Sequence, residues 1–262
     1  MSLDGVQKEL QGVELLDALE SGEVRVAERV DGNWRVNDWV KRAILTLFRE
    51  TAVVEQQAGA AWPFVDKESL TVRSFSLESK VRLVPGGSSV RRGAHIGDGC
   101  VLMPPMYVNI GAFVGAGSMV DSHALVGSCA QIGERVHLSA AAQIGGVLEP
   151  IGSRPVIIED DALIGGGVGL YEGVLVRERA VLAAGVILTG STPVFDIVNQ
   201  RVLRGSSDAP LEIPSGAVVI PGTRPSTNEW AQTQGLNVSC AIITKYRDQK
   251  TDAATALEEA LR

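Results

Sequence analysis

Aliphatic side chains recur at every sixth position through the middle of this sequence. The register holds without a slip from residue 84 to residue 144, at Val84, Val90, Ile96, Leu102, Val108, Val114, Val120, Val126, Ile132, Leu138 and Ile144. After an interruption at residues 149–156 it resumes at Ile158, Ile164, Leu170, Val176, Leu182 and Leu188, and it reappears at Ile213 and Val219. Neither the period of a helix nor that of a long strand accounts for this spacing. Each hexad is therefore predicted to be one short strand followed by one turn.

A second position in each hexad is also predicted to face inward. The fourth residue after each aliphatic is usually small or β-branched, as at Ala94, Ala112 and Val136. Glycine often follows the aliphatic, where a tight corner needs a permissive backbone.

Three hexads would close one triangular coil, and stacked coils would bury a continuous aliphatic column. The pattern predicts a mainly β fold, a parallel β-helix of hexapeptide repeats. The alternatives are a right-handed β-solenoid and an ordinary sandwich.

Less regular segments flank the hexads. Ahead of them, apolar spacing predicts a helix, a short strand that turns back at Asp31, and a second helix, at residues 6–19, 24–33 and 39–50. Residues 51–80 carry no clear period and are predicted to be irregular connection. Behind the hexads, a strand is predicted at 236–246 and a closing helix at 252–262. The expected division is an α/β N-terminal domain at 1–80, the β-helix at 81–229, and a C-terminal strand-helix extension at 230–262.

Composition narrows the function classes. Twenty-four basic residues are scattered among 31 acidic ones, for a formal net charge of −7, which argues against nucleic acid as a partner. The sequence has no apolar run long enough for a membrane helix and no signal-peptide pattern, so a cytoplasmic protein without membrane contact is expected. Three cysteines without CxxC spacing predict reduced packing residues and no metal site.

Four stretches match a narrower group than hexapeptide proteins at large. They are VRVAERVDGNWRVNDWVKRAILTLFR at 24–49, YVNIGAFVGAGSMVDSHALVGSCAQIGERVHLS at 107–139, IGGVLEP at 144–150 and SCAIITKYRDQKT at 239–251. In these stretches the chain resembles the tetrahydrodipicolinate N-succinyltransferases, succinyl-CoA-dependent enzymes of the diaminopimelate and lysine pathway. The resemblance spans nearly the whole chain, apart from much of residues 51–75. It implies the left-handed form of the parallel β-helix.

The resemblance also implies a homotrimer with its prisms side by side and its active sites between subunits. Arg82 in KVRLVP matches the arginine that holds an acceptor carboxylate, a task that suits a bidentate guanidinium. Asp121 in MVDSHA matches the aspartate assigned to the acceptor's amine, where a carboxylate can take up a proton as the nitrogen attacks the thioester. The alternatives are an exposed ion pair for Arg82 and a turn-forming role for Asp121.

Further site residues follow from the same resemblance. Ser128 is expected at the acceptor. Gly166, Ala184 and Arg224 are expected at the coenzyme A thioester, succinyl-CoA or acetyl-CoA, which would lie along the prism as a co-substrate.

The chain departs from the family between residues 163 and 176. Family members carry Arg-Ser-Glu, with the glutamate in the active site, where this chain has Gly167, Val168 and Gly169. Gly167 and Gly169 are predicted to lie at outward-facing corners that accept a larger side chain. His123 replaces a family tryptophan, and a neutral imidazole there could act as a general base. The alternative for His123 is an exposed corner residue with no part in the chemistry.

These features predict an acyl-CoA-dependent N-acyltransferase that transfers succinyl to the amine of ring-opened tetrahydrodipicolinate. One alternative is a divergent paralogue in specialised metabolism, of the kind found in tabtoxin biosynthesis, with another acceptor or acetyl-CoA. Another is a trimeric scaffold without activity. A γ-type carbonic anhydrase uses the same prism, but it needs three zinc-binding histidines, and the three histidines here form no HxxxxH pair.

Overall fold

The hexads form the three walls of a parallel β-helix. A computed structural model describes residues 9–57, 63–206 and 209–248. Each hexad contributes a two-residue strand that pairs in parallel with the strands one coil below and one coil above it, as Phe113 does with His95 and Gln131. The mainly β parallel β-helix predicted from the six-residue period is confirmed.

Three stacked sheets build the prism, and the chain visits them in the order two, three, one. Sheet one contains β7 (His95–Ile96), β10 (Phe113–Val114), β13 (Gln131–Ile132), β16 (Ile157–Ile158), β19 (Leu175–Val176) and β24 (Glu212–Ile213). Sheet two contains β5 (Arg82–Leu83), β8 (Val101–Leu102), β11 (Met119–Val120), β14 (His137–Leu138), β17 (Leu163–Ile164), β20 (Val181–Leu182) and β25 (Ala217–Pro225). Sheet three contains β6 (Ser89–Val90), β9 (Tyr107–Val108), β12 (Leu125–Val126), β15 (Gln143–Ile144), β18 (Gly169–Leu170) and β21 (Ile187–Leu188).

Both predicted inward positions of the hexad fill the core. The aliphatic residues from Val90 to Leu188 are buried, and so are the small residues that follow them, including Ala94, Ala112 and Val136. Ser118 occupies one of these small-residue positions and is also buried. Its hydroxyl tolerates burial because it donates a hydrogen bond to the carbonyl of Gly133. Burial of this column is the main favourable term for the fold, since no single coil could exclude water from it.

Two insertions interrupt the coils. The first separates β15 from β16, and the second separates β21 from β24 and contains β22 (Val194–Asp196) and β23 (Arg201–Leu203). The predicted strand near the C-terminus is confirmed as β26 (Asn237–Tyr246), which pairs antiparallel with β25 and carries β22 and β23 on its other edge. Sheet two therefore continues into strands that belong to no hexad. The predicted closing helix at 252–262 lies outside the described residues.

The N-terminal segment forms a small second core against the prism. It consists of α1 (Gly12–Ser21), the hairpin of β1 (Ala27–Val30) and β2 (Asn33–Val36), and α2 (Asp38–Glu50), as predicted. Leu16, Ile44 and their neighbours are buried against Ile110 and Cys129 of the prism. The expected helix at 6–19 needs correction, because α1 begins at Gly12 and Val13 is 58% exposed.

Residues 51–80 are more regular than predicted. They contain an antiparallel hairpin of β3 (Val53–Gln57) and β4 (Pro63–Lys67), followed by a 3-10 turn at Leu77–Ser79. The prediction of irregular connection was wrong because neither strand, VVEQQ nor PFVDK, alternates strictly between apolar and polar residues. A short helix, α3 (Glu229–Thr233), also joins β25 to β26. No helix of the described residues is long and apolar enough to cross a membrane.

Candidate active site

Four of the predicted site residues lie in one row along an edge of the prism. We call corner A the set of turns that lead from sheet two to sheet three. Asp121 and His123 occupy the corner A turn after β11, Gly166 the turn after β17 and Ala184 the turn after β20. Strands of a sheet are spaced about 4.8 Å apart, so Gly166 lies about 10 Å and Ala184 about 14 Å from the level of Asp121. Residues distant in sequence are thus brought into one row.

The Asp121 carboxylate is held in place by the turn that it begins. Its Oδ1 accepts a hydrogen bond from the amide of Ser122 at 2.6 Å, and its own amide donates to the carbonyl of Leu138. The residue is partly buried, and among the described residues its second carboxylate oxygen has no hydrogen-bond partner. Asp121 thus makes a hydrogen bond within its turn through one oxygen, and its other oxygen has no partner among the described residues.

His123 occupies the tip of the same turn. It is exposed and has a positive φ of 63°, its amide donates to the carbonyl of Pro105, and its carbonyl accepts from the side chain of Gln143. No contact of its imidazole appears within the described part of the chain. The structure thus places a histidine beside Asp121, with only its backbone tied to the prism.

Small residues expose the backbone along the rest of corner A. The carbonyls of Ala140 and Gly166 accept from the next coil, whereas the amides of Ala140, Gly166 and Ala184 donate no hydrogen bond within the described ranges. A row of free amide donors beside small side chains suits the carbonyl-rich arm of an extended ligand.

The other predicted site residues lie apart from this row. Arg82 begins sheet two, two strands below β11, is exposed, and makes no side-chain hydrogen bond or ion pair within the described residues. Ser128 lies across sheet three, at corner B, as we name the turns that lead from sheet three to sheet one. Arg224 lies beyond the prism on β25, opposite Val238, and its buried Nε has no partner in the described structure. A single chain therefore places Arg82, Asp121, Ser128 and Arg224 on separate parts of the prism and its extension.

A large cavity lies along corner B. Its volume is about 1150 Å³, and its lining includes Trp34, Glu149, Arg154, Tyr171, Glu172 and Thr189. The first insertion of the prism forms one side of this cavity, and we call residues 145–154 the wall segment. Trp34, Glu149 and Arg154 were missed by sequence reasoning, because they come from the N-terminal hairpin and the first insertion, which carry no hexad signal. Tyr171 and Glu172 lie in the hexad turn after β18.

The wall segment begins with a close backbone approach. A Cβ at Gly127 would lie 2.2 Å from the amide nitrogen of Gly146, and the amide of Val147 donates to the carbonyl of Ser128. These contacts join the VGSCAQIG stretch to the IGGVLEP stretch. Glycine is required at position 127 because no side chain fits in that gap.

Two cations fix the far end of the wall segment. Lys41 of α2 is fully buried and its Nζ donates to the carbonyl of Ser153. Arg154 donates from Nε to the carbonyl of Gly173 and from Nη1 to Glu212, and burial lowers its pKa against the opposing effect of that carboxylate. The segment is thereby anchored at both ends.

The departure from the family pattern has a structural counterpart in Tyr171. Gly167 does face open space, with no atom within 4 Å of an added Cβ. The expectation that Gly169 also lies at an outward corner is wrong, because Gly169 belongs to β18 and is buried. A Cβ there would lie 2.7 Å from Tyr171 Cε2 and 2.9 Å from Ile187 Cδ1. The Tyr171 ring has folded back over the glycine, which the six-residue period does not reveal.

The three histidines lie on different parts of the prism. His95 on sheet one stacks on Phe113 at 4.3 Å, His137 lies on sheet two, and His123 lies at corner A. Among the described residues, no group of three or more His, Cys, Asp or Glu side chains could hold a metal ion.

Two family models match parts of the chain. A family model described as tetrahydrodipicolinate N-succinyltransferase N-terminal matches residues 8–49, and one described as hexapeptide repeat of succinyl-transferase matches residues 155–190. A hexapeptide-repeat acetyltransferase of Vibrio cholerae, solved with acetyl coenzyme A, is 21% identical, covers 48% of this chain and 65% of its own, and has a TM-score of 0.35. At that TM-score the likeness carries no functional weight.

Two relatives match almost end to end, and both are named 2,3,4,5-tetrahydropyridine-2,6-dicarboxylate N-succinyltransferase. The protein of Idiomarina loihiensis is 44% identical over 255 residues, and that of Polynucleobacter asymbioticus is 45% identical over 254 residues. Each alignment covers 95% of this chain and 87% of the relative. With this identity over the N-terminal helices, the hexads and the wall segment alike, the chain belongs to the tetrahydrodipicolinate N-succinyltransferase family.

Proposed function

We propose that this protein transfers succinyl from succinyl-CoA to the amine of ring-opened tetrahydrodipicolinate. The observation that carries the proposal is the end-to-end identity of 44–45% to relatives named for this reaction. Those relatives favour succinyl transfer over a paralogue of the tabtoxin type, an acetyl-CoA enzyme or an inactive scaffold. Because the relatives named for this reaction are enzymes that act on small metabolites, we place the reaction in the cytoplasm.

Asp121 is the group that we assign to the acceptor amine. The amine nitrogen attacks the thioester carbonyl carbon, the new C–N bond forms, and the C–S bond breaks to release the coenzyme A thiolate. The proton leaves the nitrogen for the free carboxylate oxygen of Asp121, and the thiolate takes up a proton from solvent. The hydrogen bond from the Ser122 amide holds this carboxylate in one orientation and so reduces the cost of positioning it.

His123 lies in the same turn and is the second candidate for the base. Its exposed imidazole lies in the same row at corner A, and the unprotonated nitrogen of a neutral imidazole can accept a proton. Asp121 is favoured because its carboxylate is held by a hydrogen bond, whereas only the backbone of His123 is fixed.

Corner A supplies the surface for the acyl-CoA thioester. The free amides of Gly166 and Ala184 would donate to the amide carbonyls of the pantetheine arm, and Arg224 would meet a phosphate group. Arg82 would hold an acceptor carboxylate, and Ser128 would contribute a hydroxyl to the acceptor.

A homotrimer would complete the site. Within one chain, sheet three separates Asp121 at corner A from Ser128 at corner B, so a single substrate would meet both only if a second prism faces the first. Light scattering should therefore give a particle of three 27.7 kDa chains. A monomer at assay concentration would contradict this assembly.

Thiol release from the acyl donor tests the function. Purified protein is mixed with 2-aminopimelate, which has a free amine, and with succinyl-CoA or acetyl-CoA in separate reactions. We expect turnover with succinyl-CoA to exceed that with acetyl-CoA. The reverse preference would support the paralogue, and no acceptor-dependent release with either donor would support the scaffold.

A further inference from the structure

Ala140 occupies the same place in its corner A turn as Ser122 does one coil below. The parallel pairing of Met119 and Val120 with the strand above, and the hydrogen bond from the Ala141 amide to the Ser122 carbonyl, stack the two turns directly. Adjacent strands are spaced about 4.8 Å apart, so the amides of Ser122 and Ala140 lie at levels that differ by about this distance. A group bound at one amide is therefore a close neighbour of the other.

The amide hydrogen of Ala140 points out of its turn. The Ser139 carbonyl points across the turn, where it accepts a hydrogen bond from the Ala142 amide at 3.1 Å. The carbonyl and the N–H of a trans peptide point in opposite directions, so the Ala140 hydrogen is directed away from the turn. Ala140 is exposed, and its amide donates no hydrogen bond within the described residues. An acceptor outside the chain can therefore reach this amide.

The Asp121 carboxylate shows what an amide in this position binds. In the turn below, the Asp121 carbonyl accepts from the Ala124 amide at 3.1 Å, so the Ser122 hydrogen also points outward. Asp121 Oδ1, an anionic oxygen, accepts this hydrogen at 2.6 Å. In the turn above, no side chain of the described residues accepts the hydrogen of the Ala140 amide. An anionic oxygen of a bound molecule would fit there as Asp121 Oδ1 fits at Ser122.

Hydrogen bonds fix the turn that carries this donor. The Ala141 amide donates to the Ser122 carbonyl at 2.8 Å, and the Ala141 carbonyl accepts from Gln143 Nε2 at 3.2 Å. The Ala140 carbonyl accepts from the Gly167 amide at 3.0 Å. A donor that is held in place before the reaction needs no reorganisation when negative charge develops next to it. The Ala140 amide meets this condition.

Ala140 has the free corner A amide nearest to Asp121 among the donors assigned so far. The Ser122 amide, at the level of Asp121, is occupied by the carboxylate. The amides of Ala140, Gly166 and Ala184 lie one, two and three coils above it and donate no hydrogen bond within the described part of the chain. The reacting carbonyl must lie beside the base, so of these three donors Ala140 is the one placed to meet it.

We propose that the Ala140 amide donates a hydrogen bond to the oxyanion that forms from the thioester carbonyl. This proposal rests on the proposed function, because it takes Asp121 as the base and corner A as the acyl-CoA surface. When the amine nitrogen attacks, the C–N bond forms and an electron pair of the carbonyl moves to its oxygen, beside the Ala140 N–H. The proton leaves the nitrogen for the free oxygen of Asp121. When the carbonyl forms again, the C–S bond breaks and the thiolate leaves with the electron pair.

Replacement of Ala140 by lactic acid tests this donor. The exchange converts one backbone amide into an ester, so the N–H is lost while the methyl side chain stays. Loss of one oxyanion donor lowers kcat by roughly 10²–10³-fold. We expect this loss with succinyl-CoA and 2-aminopimelate. The Kd of coenzyme A, measured by calorimetry, should stay within about twofold, because free coenzyme A has no acyl carbonyl to meet Ala140.

Ala140→Pro removes the same hydrogen by a genetically encoded change. Ala141 has a positive φ of 59° and Ala140 does not, which is the arrangement of a type II turn with Ala140 at the position that accepts proline. We expect the melting temperature to stay near that of the wild type. We expect kcat to fall at least as far as in the ester, because the ring also occupies space beside the oxyanion. The ester decides alone if Ala140→Pro fails to fold.

The same ester exchange at Ala184 is the matched control. Ala184 has the same place in its turn, but its amide is assigned to the pantetheine arm. Loss of one neutral hydrogen bond corresponds to roughly a fivefold effect, so we expect coenzyme A to bind about fivefold more weakly while kcat at saturating succinyl-CoA stays close to that of the wild type. An equal loss of kcat in the two esters would overturn the proposal, because Ala140 would then have no separate part in the chemistry.

Two further results separate the proposal from the proposed function. An Ala140 ester with wild-type kcat would overturn the oxyanion assignment and leave the proposed function intact. Wild-type protein that transfers no acyl group from either donor would refute the proposed function, and the assignment of Ala140 with it.

Discussion

Lys41 Nζ donates a hydrogen bond to the carbonyl oxygen of Ser153 and so joins α2 to the wall segment. The lysine is 0% exposed, and burial lowers its pKa, against the effects of the Cys129 thiol and the Asp38 carboxylate. Cys129 is buried beside it, and burial raises the pKa of that thiol to about 12. Removal of an ammonium from water costs several kcal/mol. Within the described residues, the hydrogen bond of this ammonium goes to the Ser153 carbonyl, so the buried charge holds the wall segment in place.

Lys41→Met should separate activity from stability. Methionine preserves the length of the side chain and removes the desolvation cost, so we expect a melting temperature equal to or above that of the wild type. The wall segment loses its anchor at Ser153, and we expect kcat/KM to fall roughly 10-fold because substrate positioning is lost. Thermal melting and thiol-release kinetics on the same preparation measure the two effects.

The adjacent Arg42 supplies the control for this variant. Its side chain is 52% exposed on the same helix, so Arg42→Met makes a comparable change outside the buried contact. We expect this control to retain wild-type kinetics. A Lys41→Met protein that melts lower but retains full activity would show that the lysine serves stability alone.

Gly127→Ala should be one of the most damaging small changes in the chain. The added methyl group would lie 2.2 Å from the Gly146 nitrogen and 2.6 Å from its Cα, so backbone must move. We expect a loss of about 3 kcal/mol in the free energy of unfolding, from urea titration. Gly152→Ala is the matched control, since its methyl group would meet no atom within 4 Å. Equal stability of the two variants would contradict the close approach at Gly127.

The hexads could be predicted because their physics is local and repeated. Each coil needs the same aliphatic residue and the same tight turn, so the sequence alone aligns Asp121, Gly166 and Ala184 in one row. The position of Tyr171 over Gly169 depends on a single side chain folding back against its own strand, which leaves no trace in the period.

Much of the rest of the candidate site could not be predicted, because it lies outside the hexads. In the sequence, Lys41 looks like one of several polar residues on an amphipathic helix. Its contact with Ser153 depends on the path of the wall segment, which the sequence does not reveal. Trp34 of the N-terminal hairpin reaches the cavity because its Nε1 donates to Glu159 on the prism at 2.8 Å. Such contacts join segments more than 100 residues apart, and no local pattern encodes them.

The buried Asp196 should make stability depend on pH in acid. Burial opposes its charged form, but hydrogen bonds from Asn199, Tyr246 and Arg201 outweigh burial and lower its pKa to about 2. A pKa lowered in the folded state stabilises the protein fully above the unfolded value of about 3.9, and this stabilisation is lost as pH falls through about 2. We therefore expect Tyr246→Phe to cost about 1 kcal/mol at pH 6 and progressively less below pH 4.

Tyr107→Phe is the control for this pH dependence. The hydroxyl of Tyr107 donates to the amide oxygen of Asn109 and not to a carboxylate, so the effect of its removal on the free energy of unfolding should vary less with pH than that of Tyr246→Phe. Urea titrations of the three proteins at pH 6, 4 and 2.5 measure the differences. A Tyr246→Phe penalty that does not shrink in acid would contradict a charged Asp196 in the folded state.

Asp121→Asn tests the assignment of the base against the role of Asp121 in its turn. The asparagine Oδ1 can still accept from the Ser122 amide at the position where Asp121 accepts now, so the turn should persist and the melting temperature should change little.

The free oxygen that would take the proton becomes an amide nitrogen, and we expect kcat to fall by roughly 10²–10⁴-fold. Coenzyme A binding, measured by calorimetry, should stay within about twofold, because the donors that we propose for it are the amides of Gly166 and Ala184. Asp98→Asn, which removes an exposed carboxylate paired with Lys80, provides the matched control with normal turnover. Should Asp121→Asn retain wild-type kcat, Asp121 is a turn-forming residue, and His123→Gln becomes the variant that must lose activity.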